Sequence, residues 1–175
     1  MADFEIIAEG TLSSGASSIS LTSIPQTYTH LEFQLSARGS VASSSTGSSN
    51  MRFNGDSGSN YGGVDGYVTS GTGGVEGYSL NALTQTYYTH PLALDNWAAN
   101  IQGVTSWIIP NYTSTSFAKQ LYRTGTVADT NSIYTLRFGS GGWDNTAAIT
   151  QIDILEPSAG TEIMAQSSYW LAGWA

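Results

Sequence analysis

From His30 to Ala37 the side chains alternate strictly between polar and apolar. The apolar face carries Leu31, Phe33, Leu35 and Ala37, and the polar face carries His30, Glu32, Gln34 and Ser36. A period of two is typical of a β-strand with one face against a core. The turn signal Ile24-Pro25-Gln26 comes just before this stretch. The stretch therefore predicts a half-buried strand.

Strand-like segments recur along the chain. Candidate strands cover residues 4–8, 18–21, 28–37, 51–53, 103–109, 117–126, 132–138, 148–155 and 163–174. In 117–126, Lys119, Leu121 and Arg123 alternate against Gln120 and Tyr122, and in 132–138, Tyr134, Leu136 and Phe138 share one face. Residues 80–94 hold a weaker strand signal, and the one helix-compatible piece is short, at 92–96. Eight to ten strands without alternating helices predict an all-β fold, an antiparallel β-sandwich with jelly-roll topology.

The composition suits one domain built of strands and turns. Charged residues make up only 10 % of the 175 residues, and there are 20 glycines. We therefore predict a single domain over residues 1–175. The polar low-complexity stretch 39–50 predicts a flexible loop. The glycine-rich stretch 56–77 predicts a long irregular excursion with at most one weak strand.

The charge balance restricts the partners of the chain. Five basic residues face 13 acidic ones, which gives a net charge of −8, and the basic residues are scattered. Nucleic acids and anionic membranes bind clustered cations, so neither is an expected partner. The chain has no cysteine, which excludes disulfides and thiolate metal sites. We read no signal peptide and no membrane-spanning segment, and expect synthesis in a cytoplasm.

Several motifs resemble catalytic or metal sites. Gly55-Asp56-Ser57-Gly58 looks like the surroundings of a nucleophilic serine, with His30 or His90 as base, but the segment is also a strong turn sequence. Two isolated histidines are too few for zinc. Structural calcium in the loop of Asn54, Asp56, Asn60 and Asp65 stays open, as does a glycosidase pair of Asp129 with Asp144 or Asp153 with Glu162. We predict no catalytic, metal or cofactor site and no enzyme.

Aromatic residues are the better candidates for contacts. Trp107 lies in the strongest apolar strand, so we expect it in the core. Tyr61 and Tyr67, in the glycine-rich stretch, are candidates for exposed rings. The candidate interface or ligand contacts are Tyr61, Tyr67, Tyr169, Trp170 and Trp174. Rings flanked by amides and carboxylates suit a sugar surface, but they suit a sandwich core or subunit interface equally well.

Four segments carry a resemblance to a known family. They are residues 23–31 (SIPQTYTHL), 51–56 with Asn60-Tyr61, 107–112 (WIIPNY) and 147–150 (AAIT). In order and spacing they resemble small bacteriophage virion structural proteins, the β-sandwich proteins of head decoration or tail appendages. These are turn and strand sequences, not catalytic signatures. The chain departs from that family at its end, where residues 168–175 are rich in aromatics.

The resemblance implies assembly into a virion. The expected function is a non-enzymatic capsid cement or decoration protein that stabilises the head as a homo-oligomer, most simply a homotrimer, bound to the major capsid protein or other virion proteins. The alternative is a tail-fibre or receptor-binding domain that recognises host surface glycans. Either role places the protein in the virion and requires no cofactor.

Overall fold

The computed structural model describes residues 4–41, 47–71, 75–86, 90–156 and 160–175. These residues form an all-β fold whose regular elements are strands. In chain order the strands are β1 (Glu5–Thr11), β2 (Ser18–Leu21), β3 (His30–Ala37), β4 (Gly47–Phe53), β5 (Tyr61–Thr69), β6 (Val75–Leu83), β7 (His90–Leu92), β8 (Gly103–Pro110), β9 (Lys119–Ala128), β10 (Tyr134–Trp143), β11 (Ile152–Leu155) and β12 (Ser168–Trp174).

The strands form two antiparallel sheets. The larger has eight strands in the order β1-β12-β3-β8-β9-β10-β5-β6, and the smaller has four in the order β2-β11-β4-β7. Two consecutive hairpins, β8 to β9 and β9 to β10, form the middle of the large sheet. The first and last long strands, β1 and β12, pair with each other next to β3.

The core lies between the two sheets, as in a β-sandwich. In β3 every second residue is buried, and Leu31 and Phe33 are fully inaccessible to solvent. The small sheet contributes Ile19, Leu21, Met51, Phe53, Ile152 and Ile154 to the same cluster. Trp107 of β8 is 1 % exposed. The half-buried strand at 30–37 and the core position of Trp107 are therefore confirmed. The jelly-roll topology stays a prediction.

Four details of the sequence prediction were wrong. The described residues form twelve strands, not eight to ten. The glycine-rich stretch 56–77 is not an irregular excursion, because it supplies all of β5 and the start of β6, which pair with each other. Residues 92–96 form the end of β7 and a turn instead of a helix. In the predicted loop 39–50, β4 already begins at Gly47, and residues 42–46 lie outside the described residues.

Two buried basic side chains hold loops in place by donating hydrogen bonds to their backbone carbonyls. The Arg38 guanidinium donates to carbonyl oxygens of the segment 94–101, including Ala98 and Ile101 at 2.7 Å each and Leu94 at 2.8 Å. The Lys119 ammonium donates to the carbonyls of Ser114, Phe117 and Thr146 at 2.7–3.0 Å. Buried charges need such partners, since an unsatisfied one costs several kcal/mol.

Candidate functional site

The large sheet has one side against the core and one side toward solvent, which we call the outer face. In β9 the residues Lys119, Leu121, Arg123 and Val127 are buried, whereas Gln120, Tyr122, Thr124 and Thr126 are exposed. Side chains of a strand point alternately to opposite faces. The outer face of β9 is therefore that of Tyr122, and the register extends this face across the neighbouring strands.

The outer face of β9, β10 and β5 is apolar. Leu136 stands beside Thr126 and Val68, and Phe138 stands beside Thr124. The exposed fractions are 52 % for Tyr122, 60 % for Tyr134, 46 % for Leu136 and 41 % for Phe138. We call Val68, Tyr122, Tyr134, Leu136 and Phe138 the apolar patch. Grouped apolar side chains of this size on a surface mark an interaction site more often than single exposed residues do.

The charges of the same strands lie on the opposite, inner side. Asp65 of β5 accepts hydrogen bonds from Arg123 of β9 and, at 2.9 Å, from Arg137 of β10. All three residues are at most 8 % exposed. Arg123 also lies 5.8 Å from the Trp107 ring centre, and Arg137 lies 5.4 Å from that of Tyr67. These strands therefore turn their charged side chains inward and their apolar ones outward.

Burial governs the pKa values of Asp65 and Arg123 in this ion triad. Desolvation raises the pKa of the Asp65 carboxyl, and the charges of Arg123 and Arg137 oppose that rise. Desolvation also lowers the pKa of Arg123 to about 10, against the pull of Asp65. Burial costs each charge its hydration, which is why each needs the others as partners.

Most of the positive charge of the protein is hidden. Arg38, Lys119, Arg123 and Arg137 are each at most 8 % exposed, which leaves Arg52 as the accessible one of the five basic side chains. A polyanion binds by exchanging counterions with exposed Lys and Arg. The described surface offers almost no such groups.

A groove of about 450 Å³ opens on the outer face near its β1 edge. Its described lining includes Glu9, Thr11, Gln34, Ser36, Ser168 and Trp170. Register puts Glu9, Trp170 and Gln34 side by side in one row across β1, β12 and β3, and puts Thr11, Ser168 and Ser36 in the next row. A row of small hydroxyl side chains thus forms a trough beside the Trp170 ring. We call this the Trp170 groove.

An aromatic cluster adjoins the Trp170 groove. Phe4 packs edge-on against Trp170 with ring centres 5.8 Å apart, and it stacks on Trp174 at 6.3 Å. His30 lies 5.5 Å from Trp174. The indole N–H of Trp170 donates to Gln34 Oε1 at 2.8 Å. Phe4 contacts both indoles, so the cluster lies on the Trp174 side of Trp170 and the groove lies on the Ser168 side.

A second groove, of about 500 Å³, lies at the other end of the sheet. Gly62 and Gly142 face each other in register and leave a gap in the outer face. Gln120, Asn60, Asn81 and Asp144 are among the residues around it. The wall at Asn60 is held by Asp56, which also accepts the Trp143 indole N–H at 2.6 Å. These bonds lower the pKa of the Asp56 carboxyl.

The aromatic residues singled out from the sequence do not converge. Tyr61 is only 2 % exposed, and its hydroxyl accepts the Phe53 N–H at 3.0 Å. The expectation that its ring is exposed was therefore wrong. Tyr67 lies on the inner side of β5 against Arg137. Tyr169 is half-buried and packs against the core. Trp170 and Trp174 lie together on the outer face, and a ligand or interface role for them stays a prediction.

The motifs that resembled catalytic or metal sites are also separated. A tight turn spans Phe53 to Asp56, with left-handed Asn54 and Gly55 at its centre, which confirms the turn reading. Asn54 binds the backbone of residues 148–151, and Asp65 binds the two arginines, so the four oxygen-bearing residues do not converge on a calcium ion. Asp129 and Asp144 flank opposite ends of the ten-residue strand β10. The described residues contain no cluster of three or more metal-ligating side chains.

Sequence reasoning missed Tyr122, Leu136 and Phe138 as exposed contacts. The alternation that revealed them was visible, but nothing in it said which face of β9 and β10 points outward. The sequence carries no signal for this orientation, because Lys119, Arg123 and Arg137 on the opposite face would ordinarily mark that face as the solvent side.

The comparisons with known proteins identify no relative. No protein-family model matches the chain, and no curated protein and no solved structure matches it significantly. In the described part of the chain there is no helix long and apolar enough to cross a membrane.

Proposed function

We propose that the chain is a non-enzymatic structural subunit of a bacteriophage virion, a capsid cement or decoration protein with jelly-roll topology that assembles as a homotrimer. The observation that carries the proposal is the apolar patch. It is an uncharged surface with aromatic and aliphatic side chains on regular strands, which is the composition of a subunit interface. The resemblance in the four sequence segments points to the same class of protein.

The magnitude of the patch sets how strongly it can bind. Fully burying a large apolar side chain gains about 1.5–3 kcal/mol, so covering the exposed halves of the patch gains roughly 1 kcal/mol per residue. A contact that covers the five patch residues and an equal apolar area on the neighbouring copy would gain roughly 10 kcal/mol, against an association cost of about 4–15 kcal/mol. The contact is therefore weak in dilute solution. On a capsid surface, neighbouring subunits raise the effective concentration and make the same contact stable.

Symmetry favours contacts between identical copies. In a homotrimer the patch lies against a different surface of the neighbouring copy around a three-fold axis, and an uncharged patch meets no like charge there that would repel it. The hidden basic residues support the same role, because a protein whose exposed charges are mostly acidic does not bind leaked DNA. Major capsid protein would be the second partner.

A receptor-binding virion protein that recognises host glycans is the second candidate. The Trp170 groove favours it, since it combines an indole, an amide, a carboxylate and hydroxyls in one trough. The two roles differ in stoichiometry. A cement protein covers the head in many copies, whereas a receptor-binding tip is present in few.

Copy number in purified phage particles tests the proposal. Quantitative mass spectrometry with isotope-labelled peptides, normalised to major capsid protein, would give hundreds of copies for a cement protein. A few to a few tens of copies would overturn the cement role and support the receptor-binding one. Absence from particles would overturn both.

A further inference from the structure

The Trp170 groove offers hydrogen-bonding groups of both kinds beside an aromatic ring. Gln34 Oε1 accepts the indole N–H of Trp170, which directs the donor end of the amide away from that bond. The carboxylate of Glu9 accepts, and Glu9 and Thr11 are exposed at the rim. Ser168 adds a hydroxyl that donates or accepts, and the Ser36 hydroxyl, whose proton goes to Gln102, can accept. A ligand with many hydroxyl groups can satisfy such a mixed set.

The charge of the side chains that line the groove restricts the class of ligand it can bind. The described residues lining the groove include one carboxylate, Glu9, and no basic side chain. A phosphate, sulfate or carboxylate ligand would meet repulsion with no cation to offset it. A single carboxylate also falls short of the pair that glycoside hydrolysis requires. The groove is thus suited to binding a neutral polar ligand without cleaving it.

The groove is held in shape before any ligand arrives. The Trp170 ring is fixed by its bond to Gln34 and by Phe4 packed against it. The Ser36 hydroxyl donates to Gln102 at 2.7 Å, and the Gln102 amide donates to the Gln166 carbonyl at 3.1 Å. Side chains fixed in advance lose less entropy on binding. The volume, about 450 Å³, lies within the range of small-molecule sites.

We propose that the Trp170 groove binds a neutral saccharide. The apolar face of a sugar ring packs on the Trp170 indole, Glu9 accepts hydrogen bonds from its hydroxyls, and the Gln34 amide donates to its oxygens. Charge-assisted bonds from hydroxyls to Glu9 are the strongest polar contacts in this arrangement. The proposal deepens the glycan-recognition candidate by naming its site and ligand class. The site lies on β1, β3 and β12, apart from the apolar patch, so it does not rest on the proposed assembly role.

Fluorine NMR on the full chain tests this site. The five tryptophans are labelled as 5-fluorotryptophan, and the signal missing from Trp170→Phe assigns Trp170. The probes are the methyl glycosides of glucose, galactose, mannose and N-acetylglucosamine, each titrated to roughly 50 mM, well above a millimolar Kd. The expected result is a saturating shift of the Trp170 signal with at least one glycoside.

Two surface variants separate a specific site from a general effect. Glu9→Ala should weaken glycoside binding about tenfold or more, because it removes a charge-assisted hydrogen bond. The matched control Gln120→Ala lies in the glycine-lined groove at the other end of the sheet and should leave the Kd unchanged. Tetramethylammonium is titrated as a second probe, because a cation could bind between Glu9 and the Trp170 ring. The proposal is overturned if no glycoside moves the Trp170 signal, or if tetramethylammonium moves it instead. It is also overturned if glycosides move the signal equally in Glu9→Ala.

Discussion

At the scale of single residues, Arg38 makes hydrogen bonds to several backbone carbonyls of one loop. Its guanidinium sits at the end of β3 and donates to backbone carbonyls of the 94–101 segment, which contains no regular strand. The planar fork of five N–H donors is what allows one side chain to satisfy several carbonyls. The Arg38 side chain therefore satisfies carbonyl oxygens that backbone N–H groups would satisfy in a sheet.

Substituting Arg38→Lys should destabilise the fold by about 2–4 kcal/mol, because an ammonium cannot reproduce the fork and leaves buried carbonyls unsatisfied. Urea unfolding measures the change. Arg52→Lys is the matched control, since Arg52 is more exposed and donates to Thr84 alone through its Nε, and its expected change is within about 0.5 kcal/mol. Equal effects of the two substitutions would contradict the role assigned to Arg38.

Tyr61 should make stability fall at alkaline pH. Burial raises the pKa of Tyr61 from its usual 10.0 to about 12, so the folded state favours the neutral phenol. That contribution is complete below pH 10 and is lost as the pH rises toward about 12, for a total of about 2–3 kcal/mol. Unfolding free energies at pH 9 to 12 should decline less steeply in Tyr61→Phe than in the unaltered chain. Parallel curves would show that Tyr61 does not titrate as its burial requires.

At the scale of elements, the glycines of β5 and β10 explain why a glycine-rich stretch forms strands. Gly63 lies opposite Gly141, and Gly62 lies opposite Gly142. At Gly139 a methyl group would overlap the Val64 carbonyl oxygen. The glycines therefore permit close approach of two backbones, whereas the sequence pattern suggested an irregular excursion. Composition alone does not distinguish these two uses of glycine.

The substitution Gly139→Ala should destabilise the β5–β10 pairing by about 1–3 kcal/mol through overpacking. Gly77→Ala on β6 is the matched control, because its new methyl group would meet the Asp65 carbonyl oxygen at an ordinary 3.6 Å. Hydrogen exchange of β5 and β10 amides, together with urea unfolding, measures the difference. Equal stability of the two variants would contradict the close approach at Gly139.

The ion triad couples three neighbouring strands. Asp65→Asn should cost about 3–5 kcal/mol, because it leaves the Arg123 and Arg137 guanidinium groups buried without their shared counter-charge. Asp144→Asn, at an exposed acid that follows β10, should change stability by less than about 0.5 kcal/mol. Thermal unfolding compares the two variants. A change at Asp65 as small as that at Asp144 would mean that the two arginines do not depend on this carboxylate.

Over the whole molecule, the sequence pattern located most strands but not which of their faces points inward. In β3 the alternation predicted both the strand and its buried face, because the apolar face of this strand is the one that packs in the core. In β9 and β10 the same alternation hid an inversion, with Arg123 and Arg137 inside and Tyr122 and Phe138 outside. The partner that permits the inversion, Asp65, comes from β5 and is distant in sequence. The Trp170 groove was unpredictable for the same reason, as it needs β1, β12 and β3 side by side.

The apolar patch predicts that the whole molecule associates, because exposed apolar side chains are stabilised when another surface covers them. Leu136→Thr combined with Phe138→Thr removes two large side chains while keeping residues that favour strands. Ile6→Thr is the matched control, an exposed apolar residue on β1 that lies outside the patch and is 44 % exposed. Neither change touches the buried core.

The decisive measurement is the molar mass of the purified chain by sedimentation equilibrium, from about micromolar to millimolar concentration. We expect the mass to rise from the 18.5 kDa monomer toward a trimer in the unaltered chain and in Ile6→Thr, and to stay monomeric in the Leu136→Thr, Phe138→Thr variant. A chain that remains monomeric throughout, or a patch variant that associates as well as the unaltered chain, would contradict assembly through the apolar patch.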